Sequence, residues 1–107
     1  MAVDLAALLA GVEGFDWDAG NSAKSLDRHG VTRAEAEQAF SNRPVIVLDD
    51  PSHSDRERRL GLNGVTNDGR SLAISFTIRG ARIRVISARA MSRKERRAYE
   101  EAIKQGP

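Results

Sequence analysis

No cysteine occurs among the 107 residues, which excludes disulfides, zinc–thiolate centres, iron–sulfur clusters and thiol nucleophiles. Histidine occurs twice, at His29 and His53, too few for an imidazole-based metal site. No run of about 18 apolar residues exists, so no stretch is long enough to span a bilayer as a helix. The apolar stretch from Leu5 to Val12 is short, follows Asp4 and has no basic segment before it, which argues against a signal peptide and for a cytoplasmic protein. Repeats and low-complexity tracts are absent, and the length suits one domain with one modest core. Phosphate-binding loops, dinucleotide fingerprints, HExxH and GxSxG are also missing, which disfavours a standard kinase, oxidoreductase, metalloprotease or serine hydrolase.

What the chain does hold is arginine, 14 of its 17 basic residues. The charges are divided unevenly. Residues 1–55 carry four Lys or Arg against ten Asp or Glu, a charge of −6, whereas residues 56–107 carry thirteen against five, a charge of +8. Solubility alone is served by lysine. Arginine adds a planar fork that grips phosphate or carboxylate with two parallel hydrogen bonds. The second half therefore reads as a surface for a polyanion or an acidic partner. Codon bias and plain solvated faces account for the same composition without a partner.

The coarse secondary structure follows from caps and periodicity. Phe15-Asp16-Trp17 predicts a short strand, and Asp18 caps a helix from Ala19 to Arg28 that Gly30 stops. Thr32-Arg33-Ala34-Glu35 is a capping box opening a second helix to Phe40, which Asn42-Arg43-Pro44 breaks. Val45 to Leu48 is a β-branched strand, and a second strand runs from Arg58 to Thr66. Asn67-Asp68-Gly69 turns the chain into a third strand, whose Leu72, Ile74, Phe76 and Ile78 alternate with polar neighbours. A fourth strand spans Arg82 to Ser87. Ser92-Arg93-Lys94-Glu95 caps a last helix to Lys104, with an apolar stripe of Ala98, Tyr99, Ala102 and Ile103. Two helices, a meander and a closing helix predict an α+β domain with one antiparallel sheet, one face covered and the other open to a ligand.

The candidates for chemistry lie mostly in the basic half. Arg82 and Arg84 share one strand face, with Arg79 before the hairpin and Arg89 after the strand, and four guanidiniums so close call for an anion. Arg93, Lys94, Arg96 and Arg97 crowd the start of the last helix, against its dipole, where a docked phosphate relieves the conflict. Edge protection by charge and a tolerated surface run explain the same residues without a ligand. The guanidiniums are expected to converge on one concave, positive pocket. His53, with Glu57 four residues on, and Tyr99 are acid or base candidates. His29 fits a helix-ending role better. Asp49-Asp50 before Pro51 reads as a turn rather than a metal site. If this face acts on RNA, a base takes the 2′-hydroxyl proton, the oxygen attacks phosphorus, and guanidiniums hold the growing charge, with no metal. Plain phosphate binding fits the same residues.

Several segments in order resemble the BrnT-type toxins, RelE-like ribonucleases of bacterial type II toxin–antitoxin pairs. They are Phe15-Asp16-Trp17-Asp18 with His29-Gly30-Val31, Asp49-Asp50-Pro51 with His53-Ser54, Arg59 with Gly64 and Asp68-Gly69-Arg70, Arg82 to Arg89, and Ser92 to Arg96 with Tyr99. The resemblance implies a compact RelE-like domain over residues 15–107, two N-terminal helices packed on a small antiparallel sheet with a C-terminal helix. Residues 1–14 are left as an extension, helical or frayed. It implies RNA cleavage that arrests translation; with the residue inventory above, that cleavage is expected to be metal-independent and to need no cofactor. It also implies a ribbon-helix-helix antitoxin that masks the basic site, reaches operator DNA, and allows a toxin dimer within the complex. Carried over by position, Arg59 and Arg89 match the family's recurrent arginines, and Arg79 and Arg82 match more loosely. Taken with the reading of the residues themselves, Arg59, Arg79, Arg89, His53 and Glu57 are the catalytic candidates, and Lys24, Arg82, Arg84 and Arg93 the RNA-binding ones. Asn21 and Ser25 stand where the family often has Lys and Asn, and Lys24 lies one turn further along. The alternative is an inactive nucleic-acid-binding or protein-interaction module of the same fold.

Overall fold

Residues 71–79, where the alternation of apolar and polar side chains is clearest, lie inside a six-stranded sheet. The computed structural model describes residues 2–21, 28–53 and 56–105. Within them the strands are β1 (Ala2–Val3), β2 (Gly14–Phe15), β3 (Ile46–Asp49), β4 (Leu60–Val65), β5 (Ser71–Arg79) and β6 (Arg82–Ala90). The helices are α1 (Leu5–Leu8), α2 (Arg33–Ser41) and α3 (Arg93–Gln105), and a 3-10 turn covers Pro51–His53. The sheet order is β1-β3-β4-β5-β6-β2.

The architecture is α+β, as the order of elements predicts, but the sheet is mixed rather than wholly antiparallel. β2 lies parallel to β6, with Gly14 beside Arg82 and Phe15 beside Ile83. Hairpin turns force antiparallel pairing only between consecutive strands. β2 is far from β6 in sequence, so no turn constrains its direction. The N-terminal residues also join the sheet. Ala2–Val3 pairs with Leu48 and Val47 of β3. Asp4 then accepts from the backbone N–H groups of Ala6 and Ala7 to start α1, and Leu5 enters the core.

The expected helix from Ala19 to Arg28 is seen at residues 19–21 and 28–29, and the remainder lies outside the described residues. Gly30 ends it with φ of 65°, a value reached without strain only where there is no Cβ. The Thr32–Glu35 capping box is formed reciprocally, with contacts of 3.0 and 3.1 Å. α2 turns Ala36, Ala39 and Phe40 onto the sheet. It comes so near β4 that a Cβ on Gly64 would stand 2.7 Å from the Ala39 carbonyl oxygen. Phe40 meets Phe76 edge to face at 5.0 Å between ring centres, and Phe15 at 5.2 Å. Leu60, Leu62, Leu72, Ile74, Val85 and Ala88 complete this covered face.

The last helix departs from expectation. Of its apolar stripe only Tyr99 is buried, while Ala98, Ala102 and Ile103 are exposed. Met91 and Tyr99 stand outside the main core cluster. The Tyr99 hydroxyl donates to the Pro44 carbonyl, and the first turn of α3 borders the second face of the sheet. That face carries Asn63, Ala73 and Ser75 rather than a second apolar layer, so a full stripe has nothing to pack against.

Candidate functional site

The second face of the sheet gathers the charged residues. Between β5 and β6 the register sets Arg79 opposite Arg82 and Thr77 opposite Arg84, while Ile78 and Ile83 turn the other way. Thr77 is buried and its hydroxyl donates to the Arg58 carbonyl at 2.6 Å, which draws the segment before β4 onto this end of the sheet. Glu57 then meets Arg79 through two hydrogen bonds, of 3.0 and 3.2 Å. The Arg79 guanidinium holds the Glu57 carboxyl below its usual range, and the charges of Arg59 and Arg84 act in the same direction.

Arg84 brings in the other end of the chain. Its guanidinium pairs with Asp18 at 2.9 Å and lies 3.6 Å from Asp16. Both carboxylates follow β2, so the parallel pairing of β2 with β6 is what delivers them. The buried Asn21 amide fixes the segment by donating to the carbonyls of Asp16 and Val85, each at 3.0 Å. The Asn21 N–H and the Arg84 guanidinium hold the Asp18 carboxyl below its ordinary value. Arg79 thus pairs with Glu57 and Arg84 with Asp16 and Asp18, while the charge of Arg59 reaches Glu57. Arg82 stands exposed across the hairpin from Arg79 and makes no ion pair with a described residue.

The far end of β6 is built differently. Arg89, opposite Ala73, grips Glu95 of α3 with two bonds of 2.6 and 2.8 Å. Glu95 also accepts from the Ser92 N–H at 2.8 Å and closes the second capping box. Arg89 first, then the Ser92 cap, lowers its pKa to about 2. A carboxyl depressed on folding binds its proton more readily in the unfolded chain, so its stabilising contribution is complete above pH 4.5 and lost as pH falls to about 2. Thermal unfolding of Glu95→Gln should therefore fall below that of the parent at pH 7, and the gap should close between those two values.

Beside Arg89 and Glu95 the face dips into a cleft of about 300 Å³, bounded also by Asp49 and Asp50. Arg58 pairs with Asp49 at 2.8 Å.

Arg59, Arg79, Arg82, Arg84 and Glu57 are thus brought together. Arg89 is not, because seven residues of strand, roughly 20 Å, separate it from Arg82. Arg93 lies exposed on α3. His53 closes the 3-10 turn, while its side chain, and Lys24, lie outside the described residues. Tyr99 serves packing, and burial pushes its phenol up. The expected single positive pocket is instead two groups, each threaded with carboxylates. Like charges at close range require counter-charge, and the acidic half supplies much of it: Asp16 and Asp18 to Arg84, Glu35 to Arg70, Asp49 to Arg58, while Glu57 and Glu95 of the basic half pair with Arg79 and Arg89. Asp16 and Asp18 are absent from the sequence-based site. The opposite charges of the two halves were the signal that could have found them.

Among the described residues no three His, Asp or Glu side chains cluster as a metal site would require, and no helix is long and apolar enough to cross a membrane. A family model for the ribonuclease toxin BrnT of type II toxin–antitoxin systems matches residues 17–95. No curated protein matches the chain.

Proposed function

Because the chain belongs to the BrnT family of ribonuclease toxins from type II toxin–antitoxin systems, we propose that it cuts RNA on the open face of its sheet, at the cluster around Glu57. The observation that carries this reading is one carboxylate bonded twice to Arg79 and lying within the field of Arg59 and Arg84. A phosphodiester entering the cluster competes for Arg79 and releases Glu57. Glu57 then takes the proton of the 2′-hydroxyl, and that oxygen attacks the adjacent phosphorus. The bond to the 5′-oxygen breaks, and that oxygen gains a proton, for which His53 is the candidate donor. Arg59, Arg79 and Arg84 hold the charge that grows on the phosphoryl oxygens. The products are a 2′,3′-cyclic phosphate and a 5′-hydroxyl, and no metal or cofactor takes part.

Arg82, Arg93 and Lys24 serve as RNA-backbone contacts in this reading. The exposed Lys94, Arg96 and Arg97 of α3 extend the same positive surface. The chain is read as one RelE-like domain, its N-terminal strand and Leu5 included, acting in the cytoplasm, where RNA cleavage arrests translation. A ribbon-helix-helix antitoxin masks the site, carries any contact with operator DNA, and allows a toxin dimer within the complex.

The test is incubation of purified protein with RNA in EDTA. Cleavage leaving cyclic phosphate ends, lost in Arg59→Ala with the unfolding midpoint unchanged, is the expected result. RNA left intact over a range of pH and salt overturns the reading. Salt-sensitive binding without scission points instead to an inactive binding module. That alternative is favoured by the carboxylates that already occupy the two arginines, Glu57 on Arg79 and Asp18 on Arg84.

A further inference from the structure

The cleft beside Arg89 is set by the sheet register rather than by loops. One cross-strand row runs Leu48, Gly61, Ser75, Ser87, and the next runs Ile46, Asn63, Ala73, Arg89. Gly61 and Ala73 leave the depression because they put almost nothing above the sheet. Asn63, Ser75 and Ser87 line it, and their side chains make no hydrogen bond to a described residue. Leu48, 43% exposed, gives its end an apolar surface. Asp49, Asp50 and Glu95 stand on the walls, with Asp49 held by Arg58 from outside the cleft and Glu95 by Arg89.

This composition selects its occupant. Three carboxylates still outnumber the two guanidiniums paired with them, which disfavours phosphate, so the cleft suits an uncharged group. About 300 Å³ is at the small end for small-molecule sites, room for one ring system. Hydroxyls and an amide on the floor suit a ring with mixed donors and acceptors. Wall carboxylates accept from the exocyclic amino N–H groups that guanine, adenine and cytosine carry and uracil lacks. Ser75 lies two residues along β5 from Thr77, whose cross-strand partner is Arg84, so the cleft and the arginine cluster are about 7 Å apart in strand rise. We infer that this cleft is a nucleobase subsite, taking one amino-bearing base (guanine, adenine or cytosine) of the RNA whose phosphate lies on the Arg79–Arg84 cluster. The inference takes the source of the base from the ribonuclease reading, and the cleft chemistry stands apart from it.

Gly61 supplies a clean test. A Cβ there meets no atom within 4 Å and its backbone is not in the left-handed region, so Gly61→Leu fills the cleft without straining β4. The intact chain, labelled with ¹⁵N, is titrated with the four uncharged nucleosides. Amides of Gly61, Ala73, Ser75 and Ser87 are expected to shift with guanosine, adenosine or cytidine and clearly less with uridine. Gly61→Leu, with an unchanged unfolding midpoint, is expected to abolish the shifts. In cleavage assays the same variant is expected to raise KM by about tenfold at similar kcat and to flatten base preference. No shift with any nucleoside, equal shifts with uridine, or shifts that survive Gly61→Leu overturn the proposal. So does a Gly61→Leu protein that keeps its base preference but loses antitoxin binding, since the cleft then belongs to a protein partner. If the parent protein cuts no RNA, the ribonuclease reading fails while the nucleoside titration still decides the subsite.

Discussion

Replacing Glu57 with glutamine is expected to lower RNA cleavage by about 10²–10⁴-fold, the range for loss of a positioned base. Stability should barely change. The Glu57 and Arg79 side chains are 37% and 51% exposed, and ion pairs this open contribute about 0–1 kcal/mol. Arg79→Ala should cost about 10²–10³-fold, as removal of one transition-state donor does. The pH profile separates Glu57 from His53 as the base. Arg79 holds the Glu57 carboxyl below 4.5, so the acid limb of kcat/KM should fall below that value. An imidazole base would place the limb at about 6.5. As phosphate binding takes Arg79 away, the limb of kcat should move upward towards 4.5 relative to that of kcat/KM. Full activity in Glu57→Gln, or a limb near neutrality, would sink the assignment.

Phe76→Ala should have the largest effect on the fold. Phe76 is fully buried in β5 and meets Phe40 edge to face, so it joins the sheet to α2. Truncating a buried phenylalanine costs about 3–5 kcal/mol, from lost transfer energy and the cavity left behind. In a domain of this size that lowers the unfolding midpoint by roughly 15–25 °C. A drop of a few degrees in scanning calorimetry would mean that α2 closes the gap and that the aromatic contact is dispensable. The arginine cluster lies on the opposite face, so cleavage per folded molecule should survive at temperatures where the variant is folded.

Much of the candidate site was legible because it rests on local chemistry. Arg79, Arg82 and Arg84 flank a hairpin, and the period of two puts Arg82 and Arg84 on one face whatever else the fold does. Glu57 was visible only as a neighbour of His53. Its role depends on Thr77 drawing the Arg58 backbone inward, a contact that spans 19 residues. Arg89 was misplaced because strand direction was read without strand length. β6 runs to Ala90, three residues beyond its expected end, and carries Arg89 away from the hairpin to α3.

The amino-acid order alone determined the local elements. Both capping boxes, the glycine turns at Gly30, Gly69 and Gly80, and the alternating strand of Leu72, Ile74 and Phe76 each depend on neighbours within a few residues. Tertiary structure decided the rest. It paired β2 parallel to β6, seated Ala2–Val3 against β3, and brought the acidic first half across to the guanidiniums of the second. Those outcomes rest on pairings between distant segments. A charge or a two-residue strand has no preferred partner until the core fixes which segments lie side by side.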